Sequence, residues 1–348
     1  MTNGTLAALA FALLVSGNTP AVAAAQIDPT RDGDFTIGPD YTPAPETVVH
    51  AGVPAGTIHE FTMASTDSRL YPGIKRVENG ITKRRDAYGN RMAAPFAEIS
   101  VAAPYTRKVW VYVPAQYIPG TPAPFIVVQD GHSYVTGLPT VLDNLIAAHK
   151  VPAMIAVMVD PGGGDAQGSE RGLEYDTLSG RYSDFIESEV LPKISKDYGV
   201  VFTKNPDGRA AMGGSSGAAA AFTMAWFHPE RYHRVLSYSG TFVNQQSPRK
   251  PATPEGAWDY HAGVITRSKR KPLRIWLEVG EKDLHFDDPE STYHNWPMAN
   301  KQMAAVLTAK GYHYQFVFAK NAHHVDNRVL EQTMPEALEW LWRGYPIK

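Results

Sequence analysis

Residues 209–217 read Arg209-Ala210-Ala211-Met212-Gly213-Gly214-Ser215-Ser216-Gly217. A short strand runs into the pattern G-x-S-x-G, and the Ala-rich segment 218–227 beyond it reads as a helix. That placement matters more than the pattern, which arises by chance in many chains. A serine on a tight strand-to-helix turn sits in a strained backbone conformation, and flanking glycines avoid clashes between side chains and backbone. Its hydroxyl then stands at the top of a sheet, and the following helix points its positive end at any oxyanion that forms there. Ser215 is the expected nucleophile. Gly214-Ser215-Ser216-Gly217-Ala218 also fits a relaxed pattern centred on Ser216, but with Ser215 both flanking pattern positions are glycine.

Outward from this turn the chain alternates between two periodicities. Upstream, Lys108-Val109-Trp110-Val111-Tyr112-Val113, Phe125-Ile126-Val127-Val128 and Met154-Ile155-Ala156-Val157-Met158-Val159 read as buried strands. Residues 141–149 look helical, as do Tyr182, Phe185, Ile186, Val190 and Ile194 by their spacing. Downstream, strands are expected around Val235-Leu236-Ser237-Tyr238-Ser239, Leu273 to Val279, and Tyr314-Gln315-Phe316-Val317-Phe318. Helices are expected around Met303, Val306 and Leu307, and around Leu330, Met334, Leu338 and Leu341. Strands that alternate with helices predict an α/β fold with a mostly parallel central sheet and helices on both faces. With the serine turn, that is the α/β-hydrolase fold. Ligands bind such sheets at the carboxyl ends of the strands, so the loops after Val128, Val159, Met212, Val279 and Phe318 are the ones to search.

In this fold the partners of the serine follow in the order acid, then histidine. The hydroxyl is a poor nucleophile until a histidine takes its proton, and the acid orients that histidine and stabilises its charged form. Gly280-Glu281-Lys282-Asp283 follows the strand ending at Val279. Asp283 is the leading acid; Glu281, Asp287 and Asp288 are competitors. Lys320-Asn321-Ala322-His323-His324-Val325-Asp326 follows the last strand and offers two adjacent histidines. Only one can point at the serine, and His324 is preferred over His323.

An oxyanion forming at Ser215 needs backbone donors. One is the N–H of Ser216, the residue after the nucleophile, and the other comes from the loop after an earlier strand. That loop reads Gln129-Asp130-Gly131-His132-Ser133-Tyr134. The N–H of His132 is the first choice and that of Gly131 the second.

The region ahead of the alternating pattern differs. Residues 26–100 are rich in Pro, Gly and Thr, and Thr57-Ile58-His59-Glu60-Phe61-Thr62-Met63 is a candidate strand within them. They are expected to form an N-terminal extension packed on a catalytic domain of residues 101–348. Residues 1–25 carry an apolar run from Leu6 to Val15, a polar break, and Ala21-Val22-Ala23-Ala24-Ala25. A short apolar core followed by an A-x-A pattern reads as a secretory signal peptide, although Met1-Thr2-Asn3 lacks the usual basic charge. The run is too short to span a membrane. Export, to a periplasm or beyond the cell, is therefore expected. The chain has no cysteine, which excludes a thiol nucleophile and a thiolate-held metal. Its formal net charge of -2 gives no electrostatic reason to expect nucleic acid or an anionic membrane surface as a partner.

Several segments together carry a family resemblance: Val111-Tyr112-Val113-Pro114, Gln129-Asp130-Gly131-His132, Glu174-Tyr175-Asp176, Gly213-Gly214-Ser215-Ser216-Gly217, Ser237-Tyr238-Ser239-Gly240, Asn295-Trp296-Pro297 and the closing run from Pro335 to Trp342. Over roughly Arg107 to Tyr345 the chain resembles the esterase family that contains the enterochelin esterases, esterase D and the mycolyltransferases, and is most similar to enterochelin-esterase-like secreted proteins. The resemblance implies acyl transfer from an ester through a Ser–Asp–His triad without metal or organic cofactor. It supports His132 as an oxyanion donor. The small residue Ala322 supports His323 as the base, whereas the spacing back from Pro335 and the run His324-Val325-Asp326 support His324. It also places Arg171 and Glu174 near the mouth of the site, where substrate contact and a structural ion pair are both open. Trp296 and Tyr134 are further candidates for substrate contact, since an aromatic ring stacks on an aryl group or a sugar. Expected substrates are small-molecule or carbohydrate-linked esters: a siderophore ester, an aryl or feruloyl ester, or an acetylated sugar. Acyl transfer to an acceptor other than water, and a non-catalytic binding protein on a hydrolase scaffold, are the competing functions.

Overall fold

Unbroken apolar runs become central strands because both of their faces are covered. In the strand Phe125–Gln129 every residue is buried, with Phe125 and Val127 turned to one core and Ile126 and Val128 to the other. Ile155, Val157 and Val159 alternate with Ala156 and Met158 in the same way. The computed structural model describes Met1 and residues 27–78, 98–163, 170–246 and 250–347. Apart from Met1, the segment read as a signal peptide lies outside the described residues. Among the described residues no helix is long and apolar enough to cross a membrane.

The central sheet has nine strands. In chain order they are β1 (Gly33–Ile37), β2 (Thr57–Ala64), β3 (Thr106–Val113), β4 (Phe125–Gln129), β5 (Ile155–Val159), β6 (Arg209–Gly214), β7 (Arg234–Tyr238), β8 (Arg274–Gly280) and β9 (His313–Ala319). Side by side they run β2-β3-β5-β4-β6-β7-β8-β9-β1. The pairs β2–β3 and β3–β5 are antiparallel and all the others parallel. This is the mostly parallel sheet of an α/β-hydrolase fold.

Residues 27–78, within the segment expected to form the N-terminal extension, enter this sheet themselves. They supply both of its edges: β2 pairs along β3 from Thr57 opposite Val113 to Ala64 opposite Thr106, and β1 pairs parallel with β9 from Gly33 opposite Gln315 to Ile37 opposite Ala319. β1 is short, and its inward residues Phe35 and Ile37 alternate with Asp34 and Thr36.

Six helices position the site. They are α1 (Leu138–Ala147), α2 (Glu170–Tyr175), α3 (residues 181–198, with a π-helical turn at Ile186–Val190), α4 (Ser216–Phe227), α5 (Trp296–Ala309) and α6 (Asn327–Trp342). Residues of α1 and α6 form one core with the sheet, and residues of α3, α4 and α5 form the other. In α4 every residue except Phe227 is buried. Its run Ala218-Ala219-Ala220-Ala221 lets the backbone lie close on the sheet, which holds the turn in front of it in place.

Candidate active site

Ser215 links β6 to α4 with φ 58° and ψ -128°, a conformation that L-residues rarely adopt. The glycines around it answer to close contacts. A Cβ on Gly213 would lie 2.5 Å from the carbonyl carbon of Gly217, and one on Gly217 would lie 2.8 Å from Asp130 Oδ2 and 2.9 Å from Gln129 Cβ. Any side chain at either position would push the turn off the sheet. The serine N–H donates to the carbonyl of Tyr238 on β7 (2.9 Å), and its carbonyl accepts from Thr241 (3.2 Å). The strained turn is thus fixed from two sides.

His324 follows β9, and Asp283 follows β8. Backbone bonds join the two loops: Glu281 N–H to Ala319 carbonyl (2.8 Å) and Lys282 N–H to Ala322 carbonyl (2.8 Å). Gly280 is required where they cross, since its Cβ would stand 2.5 Å from the Ala322 carbonyl oxygen. Val325 is a β-branched residue at φ 45°, and its N–H donates to Ser239 Oγ (2.9 Å). A strained residue next to His324, tied down by a hydrogen bond, aims the imidazole. His324 Nε2 lies 2.9 Å from Ser215 Oγ, and Nδ1 lies 2.5 Å from Asp283 Oδ1. The Asp283 side chain is fully buried, and its Oδ1 also accepts from Leu284 N–H (2.6 Å). Hydroxyl, imidazole and carboxylate form one continuous hydrogen-bonded line that can take a proton from the hydroxyl and stabilise the imidazolium.

The adjacent His323 is exposed, and its N–H donates to Asp326. Of the competing acids, Glu281 pairs with Lys320 (2.9 Å) and Asp288 with His285 (2.9 Å).

The sequence pattern of the family named Putative esterase matches residues 100–340. The chain belongs to that esterase family. It is 25% identical over 231 residues to the iron(III) enterobactin esterase of Dickeya dadantii, a match covering 61% of this chain and 47% of that one. The chain therefore spans about half the length of the curated relative it matches. Among solved structures, enterochelin esterase from Shigella flexneri superimposes with a TM-score of 0.51 at 22% identity, over 68% of this chain and 55% of that one. The ferulic acid esterase AmCE1/Fae1A of the anaerobic fungus Anaeromyces mucronatus gives 0.54 at 12% identity, over 92% and 97%.

In this member of the family the line of Ser215 and His324 opens onto a cavity of about 610 Å³. Its wall includes His132, Tyr134, Asp160 and Arg171. Ser216 stands at the first position of α4, where a backbone N–H has no acceptor within the helix. Gly131 packs directly on β5, since a Cβ there would lie 2.7 Å from the carbonyl carbon of Met158. The His132 N–H, expected as the second oxyanion donor, is engaged in this structure: it donates to Asp160 Oδ1 (2.9 Å), which also meets the ring Nδ1 (2.8 Å). The cause is Asp130, whose left-handed conformation (φ 55°) turns the next residues toward the loop after β5.

Four further expectations about substrate contact need correction or refinement. Glu174 does not line the cavity. Its buried carboxylate pairs with Arg107, accepts from Tyr105 OH (2.9 Å) and from Gly162 N–H (3.1 Å), and so braces the loop after β5. Trp296 is likewise buried and meets the edge of the His324 ring at 5.9 Å between centroids. It packs behind the imidazole. Arg171 lines the cavity but is held in a two-pronged ion pair with Asp130 (3.0 Å and 3.0 Å). Tyr134 lies beneath Gly214, where a Cβ would come 3.0 Å from its hydroxyl. Because Glu174 and Arg107 are almost wholly shielded from water (side chains 0% and 2% exposed), removing one strands the other. Glu174→Ala is expected to cost roughly 3–5 kcal/mol in chemical denaturation.

Two buried acids near the site were not among its sequence candidates. Glu278 on β8 has both carboxyl oxygens buried without a hydrogen bond, and burial raises its proton affinity well above the carboxylate range. Asp176 follows α2, with Gln245 Nε2 at 3.4 Å from its carboxylate and 3.3 Å from Ser216 Oγ. Burial pushes the Asp176 carboxyl up from 3.8 to about 7, against the opposing pull of Arg171. The folded state keeps this proton up to about pH 7, whereas the unfolded chain releases it near 3.8. Between those values the folded state binds more protons, so this group's contribution makes stability fall as pH rises. Asp176→Asn removes that titration. Its unfolding free energy should drop less than the wild type's between about pH 4 and about pH 7, measured by denaturant titration at both ends.

Proposed function

We propose that the protein is an exported serine esterase that cleaves a small-molecule carboxylic ester through an acyl-enzyme. The hydrogen-bonded line from Ser215 through His324 to Asp283 carries this reading. Ser215 Oγ attacks the ester carbonyl while His324 Nε2 takes its proton. Asp283 steadies the imidazolium. His324 then returns the proton to the departing alcohol, and water, activated by the same imidazole, releases the acid. The Ser216 N–H receives the oxyanion at the start of α4.

The His132 N–H serves as the second donor once the ester oxygen displaces Asp160 Oδ1 from it. In the meantime a carboxylate competes for a donor that an oxyanion needs. Asp160→Ala is expected to raise kcat/KM for a small neutral ester severalfold, because the N–H is released and a negative charge leaves the site. Steady-state kinetics on a 4-nitrophenyl ester would reveal an unchanged or lower value if the arrangement were otherwise.

Aryl-substituted esters are the substrate class we favour, of the siderophore or feruloyl kind. The support is the cavity with Tyr134 and Arg171 in its wall, together with a relative named for enterobactin and a structural neighbour named for ferulic acid. A panel of catecholate, feruloyl and acetylated-sugar esters tests it: preference for the acetylated sugar would overturn the aryl choice while leaving the esterase intact. Export rests on residues 6–25, and the N-terminal mass of protein secreted by the producing cell tests cleavage near Ala25.

A further inference from the structure

At the end of the sheet opposite Ser215, three neighbouring strands open with basic residues. Arg234 begins β7, Arg274 begins β8 and His313 begins β9. The parallel register sets Arg234 beside Arg274, and Arg274 beside His313. Neighbouring strands are only about 4.8 Å apart, and like charges side by side on them repel. Arg270, Lys271 and Arg343 join them around a cavity of about 250 Å³.

The local acids do not balance this charge. Asp32 meets Arg343 (2.5 Å), His313 (2.8 Å) and, more loosely, Arg274 (3.7 Å). Asp207 is engaged by His233 (2.7 Å). Among the described residues, Arg234, Arg270 and Lys271 have no carboxylate within ion-pair distance. Arg234 is buried and donates to carbonyl oxygens only: Asp207 (2.6 Å), Leu341 and Arg343 (3.4 Å). Arg274 Nη1 and Arg343 Nη1 are buried without a hydrogen-bond partner. Burial, with the charge of Arg274, lowers the Arg234 pKa to about 10. Among the described residues, the five cations Arg234, Arg270, Lys271, Arg274 and Arg343 thus surround the cavity, and two carboxylates, Asp32 and Asp207, make ion pairs with its lining.

We propose that this cavity is a second binding site, separate from the ester site, for a small doubly charged oxyanion such as phosphate or sulfate. Planar guanidinium groups match such oxygens in pairs. The guanidinium groups of Arg270 and Arg343 in the cavity wall supply donors, and the ligand's charge offsets the excess. An anion there ties the starts of β7, β8 and β9 to the end of α6, so its effect is on stability.

The test is titration of the full-length protein with sodium phosphate and sodium sulfate, against sodium chloride at matched ionic strength. Calorimetry should give one saturable site, and the unfolding midpoint should rise with phosphate but not with chloride. Arg343→Gln should bind phosphate about tenfold more weakly, with ester turnover unchanged as the check on folding. Equal midpoints in phosphate and chloride with no binding heat, or wild-type affinity in Arg343→Gln, overturns the proposal. If that variant fails to fold, phenylglyoxal labelling of the wild type decides. Phosphate should shield Arg270 and Arg343 from modification, and equal labelling overturns the site. Flotation with phosphatidylglycerol vesicles separates a lipid headgroup from a free anion. Vesicle capture without any response to free phosphate also overturns it.

Discussion

Ser215→Ala is expected to lower kcat on an activated ester by roughly ten-thousandfold to millionfold, with the fold intact. The size of the effect follows from the geometry. In the proposed mechanism His324 and Asp283 act only on a proton that the Ser215 hydroxyl holds, so without Oγ the base has nothing to receive and the acid nothing to steady. What remains is the binding of the ester and the donors around its carbonyl. The change should cost little stability, because alanine keeps the backbone bonds to Tyr238 and Thr241. Circular dichroism and the unfolding midpoint should therefore match the wild type while stopped-time product assays show the loss. Ser216→Ala, by contrast, removes a buried hydroxyl beside Gln245 and leaves its backbone N–H in place, so turnover should fall less than about tenfold.

The two histidines give the second large contrast. His324→Ala should reduce kcat by a factor comparable to Ser215→Ala, since members of one proton-transfer line fail together. His323→Ala should leave kcat within about threefold of wild type, because the His323 ring is exposed and only its backbone is bonded within the loop. The double change Ser215→Ala with His324→Ala should be no worse than either alone, which independent contributions would not produce. Loss of turnover in His323→Ala alone would move the base to the other histidine.

Much of this architecture was legible because its signals are local. The apolar runs of β4 and β5 announce strands covered on both faces, and the glycines around Ser215 announce a tight turn between a strand and a helix. The edge strand β1 was missed. Its five residues carry one fully buried side chain, Ile37, and its place beside β9 is a long-range pairing that no neighbouring residue encodes. The choice between His323 and His324 depends on the left-handed turn at Val325, a residue type that gives no hint of it. Glu174 and Trp296 looked like substrate contacts because charged and aromatic residues serve both roles. Their burial follows from Arg107 and from the imidazole of His324, which lie far from them in the chain. The engagement of His132 by Asp160 likewise joins the loops after β4 and β5, and neither loop predicts it alone.

The proposed chemistry requires Ser215 to be an activated nucleophile. The most direct measurement is the intact mass of the purified protein after exposure to a fluorophosphonate, beside Ser215→Ala and Ser216→Ala. One adduct is expected on the wild type and on Ser216→Ala, and none on Ser215→Ala. A folded wild type that takes no adduct would contradict it, and so would an adduct that persists in Ser215→Ala and disappears in Ser216→Ala.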